Sequence, residues 1–309
     1  MSQLIKKKWW SKGLRRLVAW FLAIIILGII IHQGPELWTA LHKVRLHWVV
    51  AGMGCYSINY FLRAIRFRII MRQLRLWPDA VISACLHGFA TYLLPFRTGD
   101  IALPVILKSL SNSNLIEGTK VLLKARLLDL SSLGIWILCA ALLLKVEIPA
   151  TIHIPWIIFG TGLIILPKAI KWVAEQGKLR TTGVMRRISE WGSVASITSQ
   201  EFFISLGIWA AIGACLYCTA RAVGLDLSIG DIWFLITIQL SLQLIPVQGF
   251  ASAGNHEGGW IAALAILGVP VSEGLEFALT SHAIILLYVL LLGLFAFTAR
   301  KGVQFWVHT

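Results

Sequence analysis

The sequence predicts an all-α polytopic membrane protein with six transmembrane helices and two re-entrant broken-helix hairpins, arranged as an inverted-topology repeat. Of the 309 residues, 58% are hydrophobic and only 14% are charged, and the mean hydropathy is +0.79. A soluble domain carries about 25% charged residues. The apolar residues gather into runs long enough to cross a bilayer, and the basic residues lie mostly between alternate runs. This composition excludes an ordinary soluble enzyme, a disordered chain and a disulfide-stapled secreted module.

Six uninterrupted apolar runs are long enough to span a membrane as helices. They cover about 14–31, 46–62, 121–144, 152–170, 200–222 and 275–298. The first run follows a lysine-rich start and ends in Ile31-His32-Gln33-Gly34, without a small-residue cleavage signal. We therefore expect an uncleaved first span with the N-terminus in the cytoplasm.

Two further apolar regions are interrupted by proline, glycine and polar residues. Region 80–110 is interrupted from Leu94 to Asp100, and region 230–268 is interrupted from Pro246 to Glu257. Each arm has about 10–16 residues, which is short for a full span. Short arms around a Pro/Gly break are typical of re-entrant hairpins or discontinuous helices.

The positions of Lys and Arg support this topology. If the six runs cross the membrane and each broken region returns to its own side, 21 of the 28 basic residues lie on the cytoplasmic side and four on the outer side. The outer four are Lys43, Arg45, Lys145 and Arg221. This bias fits the positive-inside rule and leaves both termini in the cytoplasm.

The order of the elements occurs twice. Residues 1–148 give span, span, broken hairpin and span, and residues 149–309 give the same order starting from the opposite side. We therefore expect residues 1–309 to form one membrane domain made of two inverted repeats. Paired breaks at matching positions indicate a binding site near the bilayer midplane. A chance similarity of two Pro/Gly breaks is the alternative.

Charged residues at the first break need a reason, because a charge inside a bilayer is costly. Arg97 and Asp100 either bind a charged headgroup, with the guanidinium forming two hydrogen bonds to a phosphate, or pair with each other and stabilise the hairpin. Arg126 and Asp129 are three residues apart on one helix face, so they either pair or act on the substrate. Lys124 is expected to snorkel to the cytoplasmic surface.

The second break carries Asn255, His256 and Glu257. Gly254 directly before them is expected to open a new half-helix. At its start Glu257 either offsets the helix dipole or accepts a proton or cation. His256 either joins a proton relay or is a structural residue.

Arg63 and Arg66 share a face at the cytoplasmic end of the second span. They form either an interfacial anchor or a docking patch for anionic lipid headgroups. The sequence contains no phosphate-binding loop of the ATPase type, no metal-binding motif and no nucleophile elbow. We therefore expect no ATPase or hydrolase activity and no cofactor.

Four motifs follow one another along the chain: Arg63-x-x-Arg66-Phe67, Leu94-Pro95-x-Arg97-x-Gly99-Asp100, Arg126-x-x-Asp129, and Pro246 followed by Gly254-x-x-Glu257. In this order the chain resembles, over nearly its whole length, the transmembrane region of the lysylphosphatidylglycerol synthase and flippase-like family. The resemblance implies that the protein handles a lipid or a lipid-linked sugar, since several members are thought to flip polar lipids between leaflets. This chain has Asp100 where the family usually has Glu.

The resulting hypothesis is a translocase in the cytoplasmic membrane of a prokaryote. It would move an anionic or phosphate-bearing lipid, or a lipid-linked sugar, between leaflets. Outward movement of one negative charge is favoured by about 2.3 kcal/mol per 100 mV of membrane potential. The expected substrate-binding residues are Arg63, Arg66, Pro95, Arg97, Gly99, Asp100, Arg126, Asp129, Pro246, Gly249, Gly254, Asn255, His256 and Glu257. Arg97→Ala with intact expression should abolish transport.

Two alternatives stay open at this point. One is a membrane-embedded lipid headgroup transferase that uses Glu257 or Asp100 as a base. The other is a non-catalytic membrane partner of enzymes that build lipids or the cell envelope. The expected ligand is a membrane lipid and not a nucleic acid, and association with a second copy of the chain is an open expectation.

Overall fold

The computed structural model describes residues 44–71, 74, 76–95, 98–111, 113–144, 149–178, 192–243, 250–252 and 254–307. Within these ranges the regular structure is nine α-helices and two short 3-10 turns, Gly192–Ala195 and Phe250–Ser252. The helices are α1 (Leu46–Ile70), α2 (Trp77–Leu93), α3 (Gly99–Leu110), α4 (Leu115–Leu143), α5 (Ala150–Lys178), α6 (Ser199–Val223), α7 (Ile229–Gln243), α8 (Asn255–Ile266) and α9 (Val271–Val307). The predicted first span at about 14–31 lies outside the described residues, as do Arg97, Pro246 and Gly249.

Among the described helices, four are long and apolar enough to cross a membrane: α4, Ala150–Gln176 of α5, α6 and Val271–Arg300 of α9. They contain the last four predicted runs. Ile154, Ile158 and Ile165 of α5 are 57%, 65% and 53% exposed. A row of large exposed aliphatic side chains suits contact with lipid and not with water. The protein is therefore an all-helical membrane protein.

Both predicted interruptions are breaks between helices. The first break separates Leu93, the last residue of α2, from Gly99, the first residue of α3. The second separates Gln243 at the end of α7 from Asn255, which opens α8 directly after Gly254. In each case the two arms pack against each other, α2 on α3 and α7 on α8. The prediction of two broken helical regions is confirmed.

The two halves of the chain pack against each other through matching pairs of helices. α4 packs against α7, and α9 packs against α2, so each half contributes its last long helix to the broken region of the other. The largest helix contact joins α1 and α6, the helices directly before the two broken regions. These two helices run antiparallel, since the Arg45 N–H donates to the Ala222 carbonyl at 3.0 Å and Arg66 contacts Ser205.

The two broken regions start at opposite ends of α4 and meet inside the molecule. α2 starts beside the end of α1, where the Arg68 guanidinium lies 4.0 Å from the ring centre of Trp77. α7 starts at the other end, where Gly230 lies against the backbone of Leu143. At the breaks, Ser252 Oγ lies 3.5 Å from the Tyr92 carbonyl oxygen.

Reciprocal side-chain caps fix where α4 and α6 begin. The Glu117 N–H donates to Asn114 Oδ1 at 2.8 Å, and the Asn114 N–H donates to the Glu117 carboxylate at 3.2 Å. Thr198 and Glu201 make the same two bonds at 3.3 and 2.8 Å. Each cap satisfies N–H groups that have no partner inside the helix.

Close packing holds the long helices together. Apolar contact between helices gains little in a bilayer because lipid tails are themselves apolar, so close approach and polar pairs matter more. A side chain on Gly134 of α4 would place its Cβ 2.5 Å from the Gly160 carbonyl oxygen of α5. On the opposite side of α4, the rings of Trp136 and Trp233 stack 3.6 Å apart.

Candidate functional site

A buried cluster of alternating charges joins α1, α3 and α4. Arg66 Nη1 lies 2.6 Å from Asp129 Oδ1 and also donates to Ser205 Oγ of α6 at 3.1 Å. Arg66 is only 1% exposed. It is therefore not available at the surface, and it tolerates burial because its charge is paired and hydrogen-bonded.

Arg126 continues this cluster to the first break. Its guanidinium forms an ion pair with Asp100 through Nη2, and its Nη1 lies 3.5 Å from Asp129 Oδ2. The chain Asp100–Arg126–Asp129–Arg66, here called the arginine–aspartate cluster, contains two charges of each sign. The pairing of Arg126 with Asp129 is thus observed, although the closest cation to Asp129 is Arg66.

Lys124 and Glu201 form a second buried pair between α4 and α6. Lys124 Nζ lies 2.7 Å from Glu201 Oε1, and the two side chains are 14% and 3% exposed. The expectation that Lys124 snorkels to the surface is therefore wrong, because its amino group finds a carboxylate inside the protein.

Pro95 and Gly99 shape the first break. The Pro95 carbonyl accepts bonds from the Thr98 N–H at 3.1 Å and from Thr98 Oγ1 at 2.8 Å, which hold Pro95 beside the start of α3. Gly99 then sits directly on the backbone of α2, where an added Cβ would overlap the carbonyl group of Ala90. Glycine at this position lets α3 start against α2 and places Asp100 within reach of Arg126.

Gly99→Ala is expected to lower the unfolding temperature and weaken the arginine–aspartate cluster. The backbone of α3 must move away from Ala90, and overpacking of this kind costs about 1–3 kcal/mol. Thermal unfolding of the purified protein in detergent measures the loss. Gly162→Ala in α5 is the matched control, because no atom lies within 4 Å of its added Cβ. Equal unfolding temperatures for the two variants would contradict this account of Gly99.

At the second break, Glu257 joins the start of α8 to α9. Its Oε2 accepts a bond from the Gly254 N–H at 2.7 Å, so its helix-capping role is observed. Its Oε1 lies in short hydrogen-bonding contact with His282 Nδ1 of α9. The opposite nitrogen, His282 Nε2, lies 2.7 Å from the carbonyl oxygen of Ala251. One imidazole thus ties together α9, α8 and the 3-10 turn before it.

The backbone that presents this carbonyl is unusual. Ala251 and Ser252 have φ angles of 52° and 65°, in the left-handed region that residues other than glycine rarely adopt, and Gly254 has a φ of 84°. Such conformations persist where the surrounding contacts determine them, and they occur often at functional sites. The bonds from His282 to Ala251 and from Gly254 to Glu257 are the contacts that hold this turn.

His256 lies beside this pair and is 6% exposed. Trp260 Nε1 donates to His256 Nε2 at 3.0 Å, and Ser281 Oγ lies 3.2 Å from the same nitrogen. Since the indole only donates, His256 Nε2 accepts and the ring is neutral. These bonds support the structural interpretation of His256. Asn255 is the first residue of α8.

The two breaks place equivalent charge pairs at matching positions. Asp100 and Glu257 each lie in the first turn of the arm that follows a break. Their partners, Arg126 and His282, are each the twelfth residue of the long helix that comes next, α4 and α9. The first pair contains an arginine and the second a histidine.

A cavity of about 210 Å³ lies between α1 and α6 and reaches both breaks. Its aromatic lining residues are Tyr56, Tyr60, Tyr92, Trp209 and Trp260. Arg63, Asn59, His256 and Ser281 supply polar atoms. Arg63 Nε donates to Asn59 Oδ1 at 2.9 Å, and Arg63 forms no ion pair with any residue that the structure describes. Arg63 is thus the charged residue in a cavity wall that is otherwise neutral among the lining residues that the structure describes, and its charge also acts on Asp129.

Three functional candidates were not predicted from the sequence. His282 lies within the last apolar run, His87 Nε2 lies 3.6 Å from Asp100 Oδ1, and Glu201 pairs with Lys124. The available signal was simple: an ionisable residue inside an otherwise apolar run needs a partner or a function. Searching the runs themselves, and not only the breaks, would have found His87 and His282.

The comparisons with known proteins agree with this structure. No significant match was found among curated proteins or among solved structures. A family model described as the lysylphosphatidylglycerol synthase TM region matches residues 16–293, which include the arginine–aspartate cluster, both breaks and the cavity. Because the match covers most of the sequence, the chain belongs to the lysylphosphatidylglycerol synthase transmembrane-region family.

Proposed function

We propose that this protein is a translocase that moves an anionic or phosphate-bearing lipid, or a lipid-linked sugar, between the leaflets of a prokaryotic cytoplasmic membrane. The observation that carries the proposal is the cavity between α1 and α6, whose lining includes the guanidinium of Arg63 outside any ion pair among the described residues. Membership in a family linked to lipid biosynthesis and flipping supports it. The lipid headgroup would enter the cavity while its tails stay in the bilayer.

The packing supports an inverted repeat of six spans and two re-entrant hairpins. α1 and α6 are antiparallel, as equivalent helices of an inverted repeat must be. The broken regions start at opposite ends of α4 and meet at Tyr92 and Ser252. We infer that each region enters from a different side, and that the cavity at their meeting point opens alternately to the two leaflets.

The charges divide into structural and substrate-facing groups in this proposal. The arginine–aspartate cluster is internally neutral and holds α1, α3 and α4 together. Arg63 remains to attract a phosphate, together with Arg97 at the first break. Pro246 and Gly249 are proposed to form the second break.

Transport is tested with the purified protein in liposomes that contain fluorescent lipids. Dithionite quenches only the outer leaflet, so lipids that cross the bilayer lose their protection. We expect faster crossing for an anionic phospholipid than for a zwitterionic one, and crossing lipids should keep their headgroups by mass spectrometry. A changed headgroup would support a transferase, and crossing no faster than in empty liposomes for every headgroup would refute the proposal.

Arg63→Gln is expected to slow the crossing of anionic lipid by at least about tenfold, because a hydrogen bond to a charged group contributes about 1.5–3 kcal/mol. Crossing of zwitterionic lipid should change less. Arg68→Gln is the matched control, since Arg68 stacks on Trp77 outside the cavity. The initial rates of fluorescence loss give the comparison. Equal slowing by both variants would mean that Arg63 only attracts anionic lipid to the protein surface and does not act inside the cavity.

A further inference from the structure

We propose that Glu257 and His282 bind and release the proton that couples lipid movement to a proton gradient. The inference rests on the proposed translocase function and names its energy source. The two residues connect the second break to α9, and they lie beside the cavity through their neighbours His256 and Ser281. A proton bound there can therefore control the wall of the cavity.

The hydrogen bonds fix the number of protons on the pair. A carbonyl oxygen only accepts, so the bond to Ala251 requires a hydrogen on His282 Nε2. The short contact between His282 Nδ1 and Glu257 Oε1 requires one more hydrogen, carried by either residue. The pair as observed is either an imidazolium with a carboxylate or an imidazole with a carboxylic acid. Both forms have no net charge.

Loss of that shared proton removes one of the two hydrogen bonds that His282 makes. The proton leaves to water, and the pair becomes an imidazole beside a carboxylate, with a net charge of −1. A neutral imidazole has a single N–H, so His282 then keeps either the bond to Glu257 or the bond to the Ala251 carbonyl, but not both. Because these two bonds tie α9 to α8 and to the turn before it, release of the proton removes one tie between α9 and the second hairpin.

The first half of the chain contains the non-titrating counterpart. Asp100 and Arg126 occupy the matching positions, and a guanidinium does not lose its proton in proteins. The Arg126 guanidinium therefore keeps its bond to Asp100, whereas an imidazole exists in forms with one or two N–H groups. The two pairs therefore differ in the direct partner of the carboxylate, an arginine for Asp100 and a histidine for Glu257, although His87 Nε2 also lies 3.6 Å from Asp100.

The groups around the pair come from the helices packed against it. From α8, His256 faces it, with ring centres 4.6 Å apart, and from α2 the ring of Tyr92 lies 5.9 Å from that of His282. The other packed helices line the adjoining cavity with Gln239 from α7, Cys215 from α6, and Tyr56 and the charged Arg63 from α1. Among the described residues, no Lys or Arg forms an ion pair with Glu257.

Transport under a pH gradient tests the proposal, with potassium and valinomycin holding the membrane potential at zero. For one proton per lipid, each pH unit is equivalent to about 1.4 kcal/mol, or up to about tenfold in rate. We expect this stimulation in the wild-type protein, together with lipid-dependent proton flux reported by an internal pH dye. In Glu257→Gln and His282→Arg, whatever their rate without a gradient, the ratio of the rates with and without the gradient should fall to one. Glu273→Gln, an exposed carboxylate on the same helix α9, should behave as wild type.

The outcomes separate this inference from the proposed function. Wild-type translocation that is equally fast with and without the gradient would overturn the coupling and leave the translocase in place. If no lipid crosses at all, the translocase fails, and the pair is tested directly by nitrogen-15 NMR of labelled histidine in lipid bilayers. The His282 signal, assigned with His282→Gln, should change from two N–H groups to one as the pH rises. A signal that keeps one protonation state throughout the folded range would overturn the proposal.

Discussion

Asp129→Asn is expected to lower the free energy of unfolding by about 3–5 kcal/mol, because it leaves the buried charge of Arg66 without a counter-ion. Asp129 Oδ1 lies 2.6 Å from Arg66, whose side chain is 2% exposed and is too enclosed to reach water. Asparagine retains a hydrogen-bonding oxygen but not the negative charge. Thermal and denaturant unfolding in detergent, together with the amount of protein in the membrane, measure the loss.

An ion pair of the same length at the surface provides the control. Arg221 and Asp226 also approach to 2.6 Å, but their side chains are 32% and 80% exposed. Exposed pairs contribute little to stability, so Asp226→Asn should leave the unfolding temperature near the wild-type value. If both variants unfold at the same temperature, burial does not determine the effect and the account of the arginine–aspartate cluster is wrong.

The double variant Arg66→Met, Asp129→Leu separates structure from function. Replacing a buried ion pair by apolar side chains of similar volume is often neutral for stability, so the double variant should regain most of what Asp129→Asn loses. Arg126 keeps its partner Asp100 in this background. Restored stability with restored lipid crossing would make the cluster purely structural. Restored stability without crossing would give Arg66 or Asp129 a part in transport.

Breaks and spans were predictable because they depend on local chemistry. Proline and glycine interrupt helices, so the predicted interruption from Leu94 to Asp100 and the half-helix expected after Gly254 agree with the starts of α3 and α8. The long apolar runs gave α4, α5, α6 and α9 for the same reason, since span length depends only on composition and bilayer thickness.

The partners of the charged residues were not predictable, because they come from distant parts of the chain. In the sequence, Arg66 looks like one of several surface arginines. Its partners in the structure are Asp129, 63 residues later, and Ser205, 139 residues later. Lys124 reads as an interfacial lysine until α6 brings Glu201 to it. Which face of a helix is buried depends on its neighbours, and hydropathy averaged over a run also hid His282.

Ile212→Trp is expected to reduce lipid crossing to the rate of empty liposomes while the protein stays folded. Ile212 of α6 lines the cavity between α1 and α6, and an indole ring would fill part of its roughly 210 Å³. Ile165→Trp is the matched control, because Ile165 of α5 is 53% exposed on the surface assigned to lipid. Both proteins are compared by dithionite quenching and by their unfolding temperatures.

The result of this substitution decides where the headgroup crosses. A second cavity of about 450 Å³, lined by Lys168, Lys171 and the start of α6, contains none of the predicted site residues. If Ile212→Trp blocks crossing and Ile165→Trp does not, the headgroup passes between the two halves, where the breaks and the Glu257–His282 pair can act on it. If Ile212→Trp is folded and transports normally, the headgroup does not pass between the two halves. The lysine-lined cavity is then the next one to block, because Lys168 and Lys171 can also attract a phosphate.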